Sequence, residues 1–135
     1  MHVGIIFSTE SWHPAAERIS ECFMFFQSKM KVNDISKYCD AIDNIGIIPF
    51  SGPDKHMSDW KERKYISWVR READIRLKID FDSFIKAPIE TQRAMVRDVI
   101  IRSLEVVKSK CDARKLRFDI NDLIQDIFPE DSNQS

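Results

Sequence analysis

One stretch of the chain alternates strictly between apolar and charged residues, and it constrains the fold more than any other. Its apolar positions are Ala73, Ile75, Leu77, Ile79 and Phe81. The charged positions between them are Asp74, Arg76, Lys78 and Asp80. Because successive side chains of a strand point to opposite faces, this period of two predicts a strand with one buried and one solvent-facing side.

The segment just before this strand predicts a partner for it. Residues 60–69 contain Trp60, Tyr65 and Trp68 together with β-branched residues, a composition typical of strands. Only the tripeptide 70–72 separates the two segments. A connection this short predicts an antiparallel hairpin.

Two more strands and three helices are predicted elsewhere. Residues 2–7 and 45–50 are short apolar runs rich in β-branched residues, and Pro49 places the second at a sheet edge or ends its pairing. Apolar residues at helical spacing predict helices over residues 14–31 and 88–110. Asp119 is the predicted N-cap of a last helix, and a shorter helical turn is predicted over residues 82–86.

These elements predict an α+β fold. With helices grouped at the end and a hairpin in the middle, we expect a mostly antiparallel sheet of about four strands with helices packed on one face. At 135 residues the chain has the length of one domain. We therefore predict a single domain over residues 1–128 and a flexible tail over residues 129–135.

Composition excludes several functional classes. The 21 basic and 22 acidic residues give a net charge of −1, without the basic field that draws a protein to nucleic acid or a membrane surface. No apolar run approaches the roughly 20 residues that cross a bilayer, and no basic segment of a signal peptide precedes the first strand. Three distant cysteines without a CxxC spacing predict a reducing, cytoplasmic location.

No catalytic or metal-binding pattern is apparent. Cys22 lies on the apolar stripe of the first predicted helix, which favours a packed, inert thiol. His13 and His56 lie in no motif that would direct them toward a nucleophile, and the histidines lack metal-ligand spacing. Asp80 and Asp82 form a DxD pair, but two carboxylates alone make a poor metal site. We predict no catalytic residues, no metal and no cofactor.

The features that remain favour a surface for a protein partner. A rigid strand face with charges of both signs suits specific docking, and Arg76 lies in sequence between acidic residues that can orient its guanidinium. Trp60 and Trp68 would share a side of a regular strand, and tryptophan is a common interface anchor. The predicted partner-binding residues are Asp54, Asp59, Trp60, Trp68, Asp74, Arg76, Lys78 and Asp80.

Two alternatives stay open. The first is a nucleic-acid-binding accessory protein that uses the hairpin over residues 60–72, whose cations Lys61, Arg63, Lys64, Arg70 and Arg71 are interleaved with aromatic residues that could stack on bases. Neighbouring acidic residues weaken the local positive charge, so nucleic acid is the less favoured partner. The second is a small hydrolase with an unfamiliar site, which would show a concave pocket with converging polar groups.

A resemblance narrows the choice. The phrase EADIRLKIDFDSF over residues 72–84, followed by Gln92-Arg93 and VIIRSL over residues 99–104, resembles the Immunity protein 44 family of bacterial polymorphic-toxin immunity proteins. Ile47-Ile48-Pro49, Phe118-Asp119 and Asp126-Ile127 fit the same layout.

The resemblance implies a small cytoplasmic protein that neutralises a cognate toxin, often a nuclease, delivered by a neighbouring cell in contact-dependent growth inhibition. Immunity proteins facing nucleases are commonly acidic at the interface. By that analogy the acidic candidates here are Asp40, Asp43, Asp54, Asp59, Glu130 and Asp131.

Overall fold

The computed structural model describes residues 3–9, 13–51 and 61–129. Within these ranges the chain forms four strands, four α-helices and one 3₁₀ turn. In chain order they are β1 (Ile5–Phe7), α1 (Ala15–Lys29), the 3₁₀ turn (Ile35–Lys37), β2 (Asn44–Phe50), β3 (Arg63–Ser67), β4 (Glu72–Lys78), α2 (Phe81–Lys86), α3 (Ile89–Ala113) and α4 (Ile120–Ile127). The predicted α+β class and the predicted helices are confirmed.

The four strands make one mixed sheet in the order β1-β2-β4-β3. Strands β3 and β4 pair antiparallel, as predicted for the hairpin. Strand β2 runs parallel to both β1 and β4, so antiparallel pairing holds for the hairpin and not for most of the sheet. Helix α1 accounts for the β1–β2 pair, because a helix that connects two neighbouring strands returns the chain in the same direction. Strand β4 is the second strand after β2 along the chain, and the antiparallel β3 makes the reversal between them.

Strand β2 lies inside the sheet, so the suggestion that Pro49 marks an edge is wrong. Proline has no N–H to donate to a neighbouring strand. The pairing of β1 with β2 ends at Ile47, two residues earlier, so no β1 residue opposes Pro49. On the other side Pro49 still faces Leu77 of β4 in register. The alternative prediction, that pairing ends near the proline, describes the β1 side correctly.

The helices form one layer on one face of the sheet. Helix α3 contacts β2, β3 and β4, and the other three helices each contact α3. The core lies between the layers, with Ile45, Ile47 and Ile75 of the sheet fully buried and Ile100 and Leu104 of α3 fully buried opposite. None of the helices in the described ranges is both long and apolar enough to cross a membrane.

Gly4 allows β1 to approach the segment before β2. Its φ is +92°, in the region that favours glycine. A Cβ at this position would lie 2.3 Å from Ile35 Cγ2 and 2.4 Å from the Asp43 carbonyl oxygen. The close approach is fixed by two backbone hydrogen bonds, from Ile35 N–H to the Val3 carbonyl and from Ile45 N–H to the Gly4 carbonyl.

Strand β4 ends earlier than its alternating sequence predicts. The last strand residue is Lys78, and Phe81 is the first residue of α2. The change of direction is made by Asp80, whose carboxylate accepts hydrogen bonds from the backbone N–H and the hydroxyl of Ser83. This is helix N-capping, and Phe81 is buried by the helix layer and not by strand alternation.

Candidate partner-binding site

The face of the sheet opposite the helices carries the charged residues of the alternating strand. Register places Tyr65 beside Asp74 and Arg63 beside Arg76. On the other side of β4, Gly46 pairs with Asp74 and Ile48 with Arg76, and Ile6 pairs with Gly46. We call this surface the charged face; its members are Ile6, Gly46, Ile48, Arg63, Tyr65, Asp74 and Arg76.

Asp74 is the centre of the charged face. Its Oδ2 lies 3.1 Å from Arg76 Nη2 and 3.2 Å from Arg63 Nε, so one carboxylate holds two guanidinium groups. The carbon of the Arg63 guanidinium lies 4.7 Å from the centre of the Tyr65 ring, within cation–π range. Each contact is worth at most about 1 kcal/mol at a partly exposed site, but together they fix the orientation of both arginines.

The other half of the charged face is apolar. The Ile6 side chain is 52% exposed, although Ile5 before it is buried and Phe7 after it is half-buried. Gly46 has no side chain, and a Cβ there would meet only the Ala73 carbonyl oxygen at an ordinary 3.6 Å. The surface therefore combines a shallow apolar region on β1 and β2 with fixed charges on β4 and β3.

The structure separates the predicted partner-binding residues. Asp74 and Arg76 lie together on the charged face, and Lys78 ends β4, with its backbone N–H donating to Glu62. Asp80 caps α2, and hydrogen bonds from Ser83 hold the pKa of its carboxyl below the ordinary value. Asp54, Asp59 and Trp60 lie outside the described residues.

Trp68 lies away from the charged face. It follows the last residue of β3, in the hairpin turn, and is half-buried against the core. The carbon of the Arg114 guanidinium lies 4.5 Å from the centre of its ring. The prediction that Trp68 extends a regular strand is wrong, because the strand ends at Ser67 and the turn reaches left-handed backbone at Arg71, with φ of 61°.

Arg63 and Tyr65 are members of the charged face that sequence reasoning assigned only to a basic cluster. The missing information was the register of the hairpin, which pairs Tyr65 with Asp74. Equal counting from the predicted tripeptide 70–72 would instead pair Trp68 with Asp74, because the turn in the structure spans residues 68–71. Ile6 gave no comparable signal, since a short apolar run looks the same whether one or both faces are buried.

Asp40 and Asp43 have partners within the chain. Arg117 donates from Nε and Nη2 to Asp40 Oδ1 at 3.1 and 2.8 Å, and this holds the pKa of the Asp40 carboxyl below its ordinary value. Arg71 donates to both oxygens of Asp43, at 2.8 and 3.1 Å. These carboxylates fasten the segment after the 3₁₀ turn, so they are not free acidic groups for a partner.

A pocket of about 700 Å³ is the nearest feature to the one expected of a hydrolase, and its polar lining residues are Ser8, Thr9, His13, Glu17 and Ser20. The histidine among them is engaged in structural contacts. His13 Nδ1 accepts the backbone N–H of Ala15, and Nε2 lies 3.0 Å from Asp82 Oδ1. With both ring nitrogens occupied, His13 has none left to activate a nucleophile. In the described part of the chain, no three His, Cys, Asp or Glu side chains are arranged to hold a metal ion.

The cysteines are packed groups. All three are buried free thiols, and burial raises the pKa of Cys22 above its ordinary value. Burial, together with the adjacent Cys39, raises the pKa of Cys111 to about 12. A thiol that stays protonated is a poor nucleophile, so the sequence-based expectation of an inert Cys22 agrees with its surroundings.

The fold defines a small α+β protein whose sheet presents ordered charged side chains on the face opposite the helices. Comparison with known proteins supplies the family: the model of the Immunity protein 44 family matches residues 4–128. The chain therefore belongs to the Immunity protein 44 family, and the resemblance predicted from residues 72–104 is confirmed. No match was found among curated proteins or among solved structures. Family membership supports an immunity function and a toxin protein as partner.

Proposed function

We propose that this chain binds a cognate bacterial toxin domain through the charged face and neutralises it by covering its active or substrate-binding surface. The observation that carries the proposal is the Asp74 network, in which one carboxylate positions Arg63 and Arg76 on a rigid sheet. Side chains ordered before binding lose less conformational entropy in a complex, which raises affinity.

The composition of the charged face supports a protein partner. Arginine and tyrosine are enriched among the residues that dominate interface energies, and both are present beside Asp74. The exposed Ile6 supplies apolar area next to them. Interfaces of this kind combine an apolar centre with polar contacts at its rim.

The finer parts of the proposal concern the toxin and the setting. We propose that the toxin is a nuclease delivered by a neighbouring cell in contact-dependent inhibition, and that the immunity protein acts in the cytoplasm of the recipient. These parts rest on the family resemblance. Incubation of the purified toxin with RNA and DNA tests the nuclease activity, and cleavage should stop when the immunity protein is added.

Co-expression tests the function. The toxin encoded next to this chain should arrest growth when expressed alone, and co-expression of the chain should restore growth. The two proteins should also co-purify as a stable complex. Absence of rescue together with absence of a complex would contradict the proposal.

A charge reversal tests the surface. Arg76→Glu places a second acid beside Asp74, so we expect loss of rescue and of co-purification with an unchanged fold. The matched control is Arg18→Glu on α1, where the original side chain is 55% exposed and pairs with the neighbouring Glu21. If Arg76→Glu rescues growth as well as the control does, the binding surface lies elsewhere.

The alternative function, nucleic-acid binding through residues 60–72, has less support. Stacking on bases needs free aromatic faces, and in the described part of the hairpin Tyr65 has Arg63 over its ring and Trp68 has Arg114 over its ring. A salt titration of RNA and DNA binding tests this alternative, since phosphate contacts lose affinity steeply as salt rises.

A further inference from the structure

A second surface lies at the outer edge of the sheet, between β3 and the C-terminal end of α3. It is a cleft of about 310 Å³, and its lining includes Lys64, Ile66, Trp68, Lys110 and Arg114. We call it the basic cleft. It is distinct from the charged face, because Lys64 and Ile66 alternate with Arg63 and Tyr65 along β3 and so point toward the helix side.

The basic cleft concentrates positive charge. Lys64, Lys110 and Arg114 all line it, and none of the ion pairs within the described ranges includes any of them. Lys110 and Arg114 lie at the C-terminal end of α3, where the helix dipole favours cations. Lys64 belongs to the edge strand, so the dipole does not explain why a third cation is there.

The cations surround an apolar floor. Ile66 and Trp68 are both half-buried and pack against the core. Like charges brought together over apolar surface repel one another more than they would in water. An anion bound in the cleft would relieve this repulsion, so the cleft suits a negatively charged ligand.

The contact between Arg114 and the Trp68 ring makes a carboxylate a better ligand for the basic cleft than a nucleobase. The Arg114 guanidinium, 4.5 Å from the ring centre, occupies the ring face on which a base would stack. A guanidinium held over a ring keeps its N–H groups in its own plane, in the fork geometry that binds a carboxylate with two hydrogen bonds. Arg114 is exposed, so this fork is accessible.

The positively charged surface of the basic cleft also ends within a short distance, at Tyr65. Tyr65 lines both the basic cleft and the neighbouring pocket on the charged face, where Glu72 and Asp74 lie beside Arg63 and Arg70. The cations of that pocket are balanced by carboxylates, and Asp74 already pairs with Arg63. A nucleic-acid backbone that continued past Tyr65 would therefore leave the net positive surface, whereas a single acidic segment can end at the cleft.

We infer that the basic cleft binds an acidic peptide segment, and that the cognate toxin presents this segment. The identity of the protein that carries the segment rests on the proposed function. The preference of the cleft for carboxylates does not, because it can be measured without a toxin.

The test uses a fluorescein-labelled hexaglutamate peptide with the full chain, followed by fluorescence anisotropy at about 20 mM salt, where charge interactions are weakly screened. We expect saturable binding that weakens at least about ten-fold in the Lys110→Gln/Arg114→Gln double variant, because two charge-assisted contacts are lost. Hexaglutamine is the peptide control, and Arg18→Gln is the protein control, expected to change affinity less than about two-fold.

Three results would overturn the inference. They are no saturable binding of hexaglutamate, equal binding by the double variant, and tighter binding of a uridine hexamer than of hexaglutamate. The single variants Lys110→Gln and Arg114→Gln replace the double variant if it fails to fold. Peptide binding without any toxin complex would contradict the proposed function and leave the cleft's preference intact. If the double variant forms the toxin complex as well as the unmodified chain does, the cleft does not bind the toxin.

Discussion

The two faces of the sheet differ completely although the same strands form both. On β4, Ile75 is fully buried against the helix layer, whereas the adjacent Asp74 holds two arginines on the opposite face. Burial of apolar surface is the main source of stability, and partly exposed ion pairs add little. Neighbouring residues on one strand therefore serve different purposes: Ile75 stabilises the core, and Asp74 orders the surface that we propose binds the toxin.

The largest expected effect is on the helix side. Ile75→Ala should lower the free energy of unfolding by about 2–5 kcal/mol, because it leaves a cavity in a packed core. Chemical denaturation measures this loss. Ile6→Ala is the control on the charged face, where the original side chain is 52% exposed, and should cost less than about 1 kcal/mol. Similar losses for both variants would show that the two faces contribute equally to stability and would contradict the difference drawn between them.

Alkaline pH should also act on the helix side. Burial raises the pKa of Tyr38, Cys22 and Cys111, and for Tyr38 the hydrogen bond to Asp126 adds to the effect. A group whose pKa is raised by folding stabilises the fold below its unfolded pKa and loses that contribution as pH rises. Stability should therefore fall from about pH 9 upward, by at most about 1.4 kcal/mol per pH unit for each group.

Melting temperatures between pH 7 and pH 11 measure this alkaline loss. Tyr38→Phe removes one ionisable group, so the variant should show a shallower decline than the unmodified chain. The Tyr38 hydroxyl lies 2.5 Å from Asp126 Oδ2, and its removal should lower stability at neutral pH. A melting temperature that stays constant up to pH 11 would show that these groups ionise as easily in the fold as outside it.

A smaller effect is expected at the junction between the faces. Asp80→Ala removes the cap of α2 and should lower the melting temperature measurably, because the N–H of Ser83 loses its acceptor. Asp80→Asn is the matched control and should retain most of the stability, since asparagine also caps helices. If Asp80→Ala melts like the unmodified chain but weakens the toxin complex, Asp80 is a docking residue as the sequence first indicated.

The smallest change in stability is expected on the charged face. Asp74→Asn should alter the free energy of unfolding by less than about 1 kcal/mol, because its partners are partly exposed. Titration calorimetry with the toxin should nevertheless show at least about ten-fold weaker binding, since Arg63 and Arg76 lose their common anchor. A large loss of stability with unchanged affinity would reverse the roles assigned to the two faces.

The sequence predicted those elements of the fold whose pattern lies within one continuous segment. The alternation around Ile75 and the short turn at residues 70–72 predicted the hairpin, and helical spacing predicted α1 and α3. The mixed sheet was missed because strand direction depends on which strands become neighbours. The strand–helix–strand order of β1, α1 and β2 indicates parallel pairing. The prediction instead extended the antiparallel pairing of the hairpin to most of the sheet.

The site was predicted only in part for a related reason. Asp74 and Arg76 were identified because they alternate within one strand. Arg63 and Tyr65 join them through cross-strand register, which a single segment does not reveal. Asp80 continued the alternating pattern, but it lies where the strand ends, and its carboxylate serves the following helix. Capping chemistry competes with strand alternation at such boundaries.

Site-specific photo-crosslinking tests most directly whether the charged face contacts the toxin. Benzoylphenylalanine would replace Ile6, which is 52% exposed on the charged face, and in a separate variant Met24, which is 64% exposed on α1. Ile6 does not line the basic cleft, so it reports on the charged face alone. We expect a covalent adduct with the toxin from position 6 and none from position 24. An adduct from position 24 alone would place the toxin on the helix layer and contradict the proposal that the charged face binds it.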